Sequence, residues 1–179
     1  MTAHRPDFKL NRPGALIAAL PAVLGFVPEK SLVLVAIERG EMGAVLRVDL
    51  SEELVDRLAQ LAELIAAGRP DAVIAVIVDP EAARCPMCNE EHRQLCEDLT
   101  QYLRAHRISL IDAHVVDQVG PGGRWHCLDG CGSGGTVDDP ASSPVTMAAV
   151  LDGRRLYDSR ADLEAVIAVP DDDALGHDV

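Results

Sequence analysis

Seven consecutive aliphatic residues, AVIAVIV at 72–78, constrain this chain more than any other feature. A half-exposed strand alternates apolar and polar residues, so an unbroken apolar run of this length belongs to a strand covered on both faces. SLVLVAI at 31–37 has the same character. Its sequel differs. After a turn around Gly40, AVLRVDL at 44–50 sets Ala44, Leu46, Val48 and Leu50 on one side and Arg47 and Asp49 on the other, as a half-exposed antiparallel partner does. ISLIDAHVV at 108–116 supplies a further strand.

Helical periods lie between these runs. Asn11 is placed to cap a first helix with Pro13 in its first turn, and Leu16, Ile17, Leu20 and Leu24 share one face. Pro21 lacks a backbone donor and is expected to kink or end that helix. Ser51 is expected to cap a second helix with Leu54, Leu58, Leu61 and Ile65 inward, stopped by Gly68 and Pro70. A third, from about Asn89 to His106, turns Leu95, Leu99 and Leu103 inward. It links two apolar strands, and strand–helix–strand at this length implies a right-handed parallel crossover. The expected fold class is therefore α/β, a mixed sheet with a parallel β-α-β crossover and an antiparallel hairpin, helices packed on the sheet.

Residues 1–169 read as a single domain, with 119–142 as a glycine-rich loop and 170–179 as a disordered acidic tail. Such a long loop in a compact domain calls for a function, a metal or disorder. SPVTMAAVLDG at 143–153 reads as helical, and Ser159 with Asp162 as the capping box of a last short helix.

The charge of −13 disfavours phosphate backbones and anionic membranes, so no nucleic-acid or membrane partner is expected. Prolines 13 and 21 break the N-terminal apolar stretch, which reads neither as a secretory signal nor as a membrane span. The expected location is cytoplasmic, where cysteines stay reduced unless they bind metal or do redox work.

Against that background the cysteine spacing carries the chemistry. Cys85-Pro-Met-Cys88 and Cys127-Leu-Asp-Gly-Cys131 are two pairs with chelating separations. Zinc takes soft ligands in a tetrahedron, and two short-spaced pairs from distant loops are a common way to build it. Cys85, Cys88, Cys127 and Cys131 are thus the candidate ligands of a structural Zn2+, with His92 and His126 in reserve. The alternative is a thiol-dependent redox protein using Cys85 and Cys88, which precede a helix as a low-pKa thiol would; Glu90 and Glu91 act against it. Cys96 lies beside Leu95 and Leu99 and reads as core.

Other motifs read as structural. Gly130, Gly132 and Gly135 spell a dinucleotide fingerprint, but neither the strand before it nor the helix after it is in place. Asp112 and His114 share a strand face and read as a structural pair. Trp125 reads as a cover where the loop meets the sheet.

The segment LNRPGALIAALPAVLGFVPEKSLVLVAI, then GRWHCLDGCGSGGTV, SPVTMAAVLDGRRL and SRADLEAV, resemble an actinobacterial family, domain of unknown function 4192, over roughly residues 8–168. In that family an Arg-Trp precedes Cys-x3-Cys-Cys. Arg124, Trp125, Cys127 and Cys131 match, while Gly132 stands where the last cysteine would be. The resemblance implies no activity. The chain reads as a binding or regulatory module with a protein or small-molecule partner, and nothing in it commits to an enzyme.

Overall fold

The computed structural model describes residues 12–85 and 89–167. Its frame is a six-stranded mixed sheet in the order β2-β1-β3-β4-β5-β6. β1 (Ser31–Glu38) pairs antiparallel with β2 (Glu41–Asp49) on one side and with β3 (Ala72–Val78) on the other. β3 and β4 (Ser109–Val116) are parallel, and α4 (Asn89–Ala105) lies between them in the chain. Antiparallel pairing then adds β5 (Arg124–Cys127) and β6 (Gly134–Thr136). The expected α/β class, hairpin and parallel crossover are all present.

The two aliphatic runs behave as their composition dictates. All seven residues of β3 and the first seven of β1 are buried, because each strand has neighbours on both sides and helices on both faces. On one face Leu32, Leu34, Val73, Ala75, Ile77 and Val115 pack with Leu58, Leu61 and Ile65 of α2 (Leu54–Ala66) and Leu95, Leu99 and Leu103 of α4. On the other, Val33, Val35, Ile74, Val76 and Val116 pack with Leu16, Ile17 and Leu20 of α1 (Pro13–Leu24). Removing fully buried aliphatic side chains from water stabilises by roughly 1.5–3 kcal/mol each, which anchors the three layers. Edge strand β2 is only half-buried, as its alternation predicts.

Several local expectations need amendment. Pro21 does not end α1, which runs one turn further to a left-handed Gly25 at φ 86°, whose N–H bonds the Pro21 carbonyl. Pro21 and Ala22 are buried, and their packing outweighs the missing donor. Asn11 lies outside the described residues; Arg12 occupies the cap position with no side-chain bond. Ser51 does not cap α2, which begins at Leu54 after a turn closed by the Leu54 N–H on the Ser51 carbonyl. Asp79 caps an additional five-residue helix, α3 (Pro80–Arg84). Residues 119–142 are not a bare loop, since they contain β5, β6 and a 3-10 turn, Pro140–Ser142. Helices α5 (Pro144–Leu151) and α6 (Arg160–Ile167) fall where expected. Ser159 accepts from the Asp162 N–H at 3.2 Å and donates to its carboxylate at 2.8 Å, so the expected box closes through the two side chains. The tail at 170–179 lies outside the described residues.

Candidate metal centre and ligand cleft

β5 and β6 form a hairpin at the far edge of the sheet, and its turn carries the second cysteine pair. β5 ends at Cys127, whose N–H donates to the Ser133 carbonyl at 2.8 Å and closes the turn. Inside it, Gly130 and Gly132 adopt φ 77° and 80°, backbone states that cost a side-chain-bearing residue about 1–2 kcal/mol. These two glycines let the chain double back so that Cys131 faces Cys127.

The result is a compact donor cluster. Cys127 Sγ, a carboxylate oxygen of Asp129 and Cys131 Sγ all lie within 4.8 Å of one another. The Cys127 thiol donates to Asp129 Oδ1 at 2.9 Å, and the Cys131 N–H donates to the same oxygen at 2.9 Å. These bonds hold the exposed Asp129 carboxyl well below its ordinary range. Burial, followed by the bond to Asp129, pushes the Cys127 thiol well above its own. In a tetrahedral thiolate site with bonds near 2.3 Å the donors stand about 3.8 Å apart. Closing this cluster on an ion therefore takes shifts of about 1 Å. Two soft sulfurs with one carboxylate suit a zinc-like divalent ion.

Asp129 was not among the expected ligands. Its signal was the alternate spacing Cys127-x-Asp129-x-Cys131 within a glycine-rich turn, easily missed when only sulfur pairs are sought.

The other expected residues are placed as follows. Cys85 is half-buried and terminates α3, a helix that packs beside β4 and β5. Cys88 lies outside the described residues. The start of α4 does reach the hairpin: Asn89 Nδ2 is 3.0 Å from His126 Nε2, and Arg93 Nε donates to the Leu128 carbonyl at 3.1 Å. Strand alternation separates His126 from its neighbour. His126 pairs with Val115, a residue of the core under α2 and α4. Cys127 pairs with His114, on the face where Val116 and Trp125 meet the α1 core. Of the reserve ligands, His126 thus points away from the Cys127 thiol, and His92 Nε2 is bonded to Asp79 at 2.9 Å.

His114 is buried, and burial lowers its pKa; its Nδ1 has no partner among the described residues. Instead of bonding Asp112 it meets Trp125 edge-on, ring centroids 5.3 Å apart. Trp125 packs against the α1-side core, and Gly135 lies so close to its indole that an added Cβ would stand 3.2 Å from Nε1, so the tryptophan does cover the hairpin's contact with the sheet. Gly130 and Gly132 sit in the β5–β6 turn and Gly135 in β6, with no helix directly after them, so the dinucleotide fingerprint lacks its structural context. Cys96 is buried in the core, which pushes its thiol up to about 12 and leaves it inert.

A second feature occupies the carboxyl ends of the parallel strands. A cleft of about 630 Å³ opens there, lined by Val27, Val78, Val119 and Pro121 and by charges of both signs, Lys30 and Arg84 with Glu29 and Asp117. In open α/β sheets this is where ligands sit, and the volume suits a small molecule. Beside it Asp79 gathers three donors: Lys30 Nζ at 3.0 Å, His92 Nε2 at 2.9 Å and the Glu81 N–H at 3.1 Å. Burial works to raise the Asp79 pKa, but these bonds outweigh it and the pKa is lowered. Lys30 holds φ 41°, uncommon for a residue with a side chain, and its pKa is raised chiefly by the bond to Asp79. Among the described residues the Arg84 guanidinium pairs with no carboxylate.

No helix among the described residues is long and apolar enough to cross a membrane. Residues 13–178 match the family described as Domain of unknown function (DUF4192). No curated protein and no solved structure matches the chain.

Proposed function

For a chain that belongs to the domain of unknown function 4192 family, we propose the role of a cytoplasmic binding or regulatory module whose β5–β6 turn is tied down by a structural zinc-like ion. The observation that carries this reading is the convergence of Cys127, Asp129 and Cys131 within 4.8 Å on a turn with almost no apolar content. At its base the turn is held by buried Leu128 and the Cys127 N–H bond to the Ser133 carbonyl, but β6 beyond it is exposed along its whole length. A structural zinc contributes on the order of 10 kcal/mol, ample to order such a segment. Cys85 and Cys88 are proposed as the second thiolate pair. Asp129 would then keep its bond to the Cys131 N–H. The binding half of the reading rests on the cleft, where an anionic group of a small ligand would meet Arg84 and Lys30.

The test is metal content after purification without added zinc. The wild type is expected to retain one equivalent, the Cys127→Ser/Cys131→Ser variant none. Loss in Cys85→Ser/Cys88→Ser as well supports four thiolates, whereas retention there confines the site to the turn. A wild type that neither retains zinc nor binds it on addition refutes the metal. The redox alternative makes a different forecast: activity lost with Cys85 or Cys88 alone, and indifferent to Cys127.

A further inference from the structure

We propose that Cys127 and Cys131 form a peroxide-responsive disulfide, with Cys131 oxidised first and Cys127 closing the bridge. This uses the thiols of the metal reading but needs no metal. The two sulfurs are within 4.8 Å, and a disulfide bond is about 2.05 Å, so one sulfur must travel less than about 3 Å. Cys131 is exposed, whereas Cys127 is buried with only 8% of its surface exposed. That is the division of labour in redox-sensing pairs, an accessible thiol beside a sheltered resolving one. The needed motion is available to Cys131 alone. It sits between Gly130 and Gly132, where even an added Cβ would meet nothing within 4 Å, while Cys127 is fixed at the end of β5. Cys96 has a buried site in the core under α2 and α4 and is expected to stay reduced.

The chemistry balances with a hydroperoxide as oxidant. Cys131 sulfur attacks one oxygen of hydrogen peroxide; the S–O bond forms, the O–O bond breaks, and the other hydroxyl leaves as hydroxide and takes the Cys131 proton to become water. Cys127 sulfur then attacks Cys131 Sγ. The S–S bond forms, the S–O bond breaks, and the released hydroxide takes the Cys127 proton as a second water. Two electrons pass from the sulfurs to the peroxide.

Trypsin separates the pairs cleanly, because it cuts after Arg84, Arg93, Arg124 and Arg154. Residues 85–93 carry one pair and residues 125–154 the other. The full chain, reduced and stripped of metal by a chelator, is treated with equimolar hydrogen peroxide, blocked with N-ethylmaleimide and digested without reduction. Peptide 125–154 is expected to lose two hydrogens and escape alkylation while peptide 85–93 is alkylated twice. In Cys127→Ser a sulfenic acid is expected to accumulate on Cys131 and react with dimedone. In Cys131→Ser oxidation of Cys127 is expected to slow by about tenfold, following its burial. Double alkylation of 125–154, over-oxidation of Cys131 without a bridge, or earlier oxidation of 85–93 each overturns the proposal. A parallel arm preloaded with zinc chloride separates the two readings. Zinc released as the bridge forms supports both, whereas a bridge in a protein that never held zinc keeps the disulfide and removes the metal.

Discussion

Asp79→Asn is the sharpest probe of the polar cluster beside the cleft, because asparagine preserves the shape and caps a helix as well as aspartate does. What it removes is charge. The Asp79 side chain is 13% exposed, and His92, at 14%, is comparably sheltered, whereas Lys30 is 52% exposed. A bond to a buried charged group contributes about 1.5–3 kcal/mol, while an ion pair with so exposed a lysine contributes about 0–1 kcal/mol. The expected loss is therefore about 2–3 kcal/mol, most of it through His92, and a fall in Tm of roughly 4–12 °C for a chain this long. The pH dependence gives a second handle. The folded pKa of Asp79 is lowered from the model-compound 3.8, so its stabilisation is complete above that unfolded value and is lost as pH falls through the folded one. The gap between wild type and variant, measured by urea unfolding followed by circular dichroism, should narrow as pH drops below about 4. A gap under about 0.5 kcal/mol at pH 7 would refute the assignment of a stabilising charge. So would a full gap that persists at the lowest pH at which the fold survives.

Leu20→Ala should cost about 2–5 kcal/mol, since Leu20 is fully buried in the α1-side core; a loss near zero in urea unfolding would detach α1 from the sheet. Gly14→Ala sets a helix-propensity gain of at most about 1 kcal/mol against a Cβ placed 2.5 Å from the Thr136 carbonyl oxygen. Overpacking against backbone costs about 1–3 kcal/mol, so the urea midpoint should fall, and a rise would show that the β6 segment yields freely. With a net charge of −13 the protein should show no retention of DNA or RNA at physiological salt; a salt-sensitive gel shift at low micromolar protein would contradict this.

What could be read from the sequence was whatever has a local period. AVIAVIV announces two-sided burial by composition alone, and α2 and α4 repeat leucine at helical spacing. β5 and β6 escaped because four and three residues, two of the latter glycine, are too few to show a period. Their pairing is a property of the sheet edge left open by β4, which is tertiary information. α3 was missed for a related reason: five residues make little more than one turn, and the Asp79 cap with Pro80 was its only local mark. The Asp79 cluster could not be read at all, because Lys30 and His92 lie 49 and 13 residues away and only the register of β1 and β3 together with the placement of α4 brings them to Asp79.

The cysteines show where spacing stops being sufficient. A chelating interval says that two thiols can share an ion, but the strand decides which face they present. In β5 the face that meets α4 is taken by His126, whose ring is engaged by Asn89, and Cys127 belongs to the opposite face with His114 and Trp125. A purely strand-borne thiol there would be walled off from α4 by the sheet itself. Cys127, however, is the last residue of β5, and the turn beyond it runs past the sheet edge before Cys131 returns. An ion held by Cys127, Asp129 and Cys131 would therefore sit off the end of the strand rather than on either face, while Cys85 is not part of that cluster. Gly132 fits the same geometry. It occupies the place where the family pattern carries a third cysteine, and its φ of 80° is one that a cysteine would adopt only at a cost of about 1–2 kcal/mol.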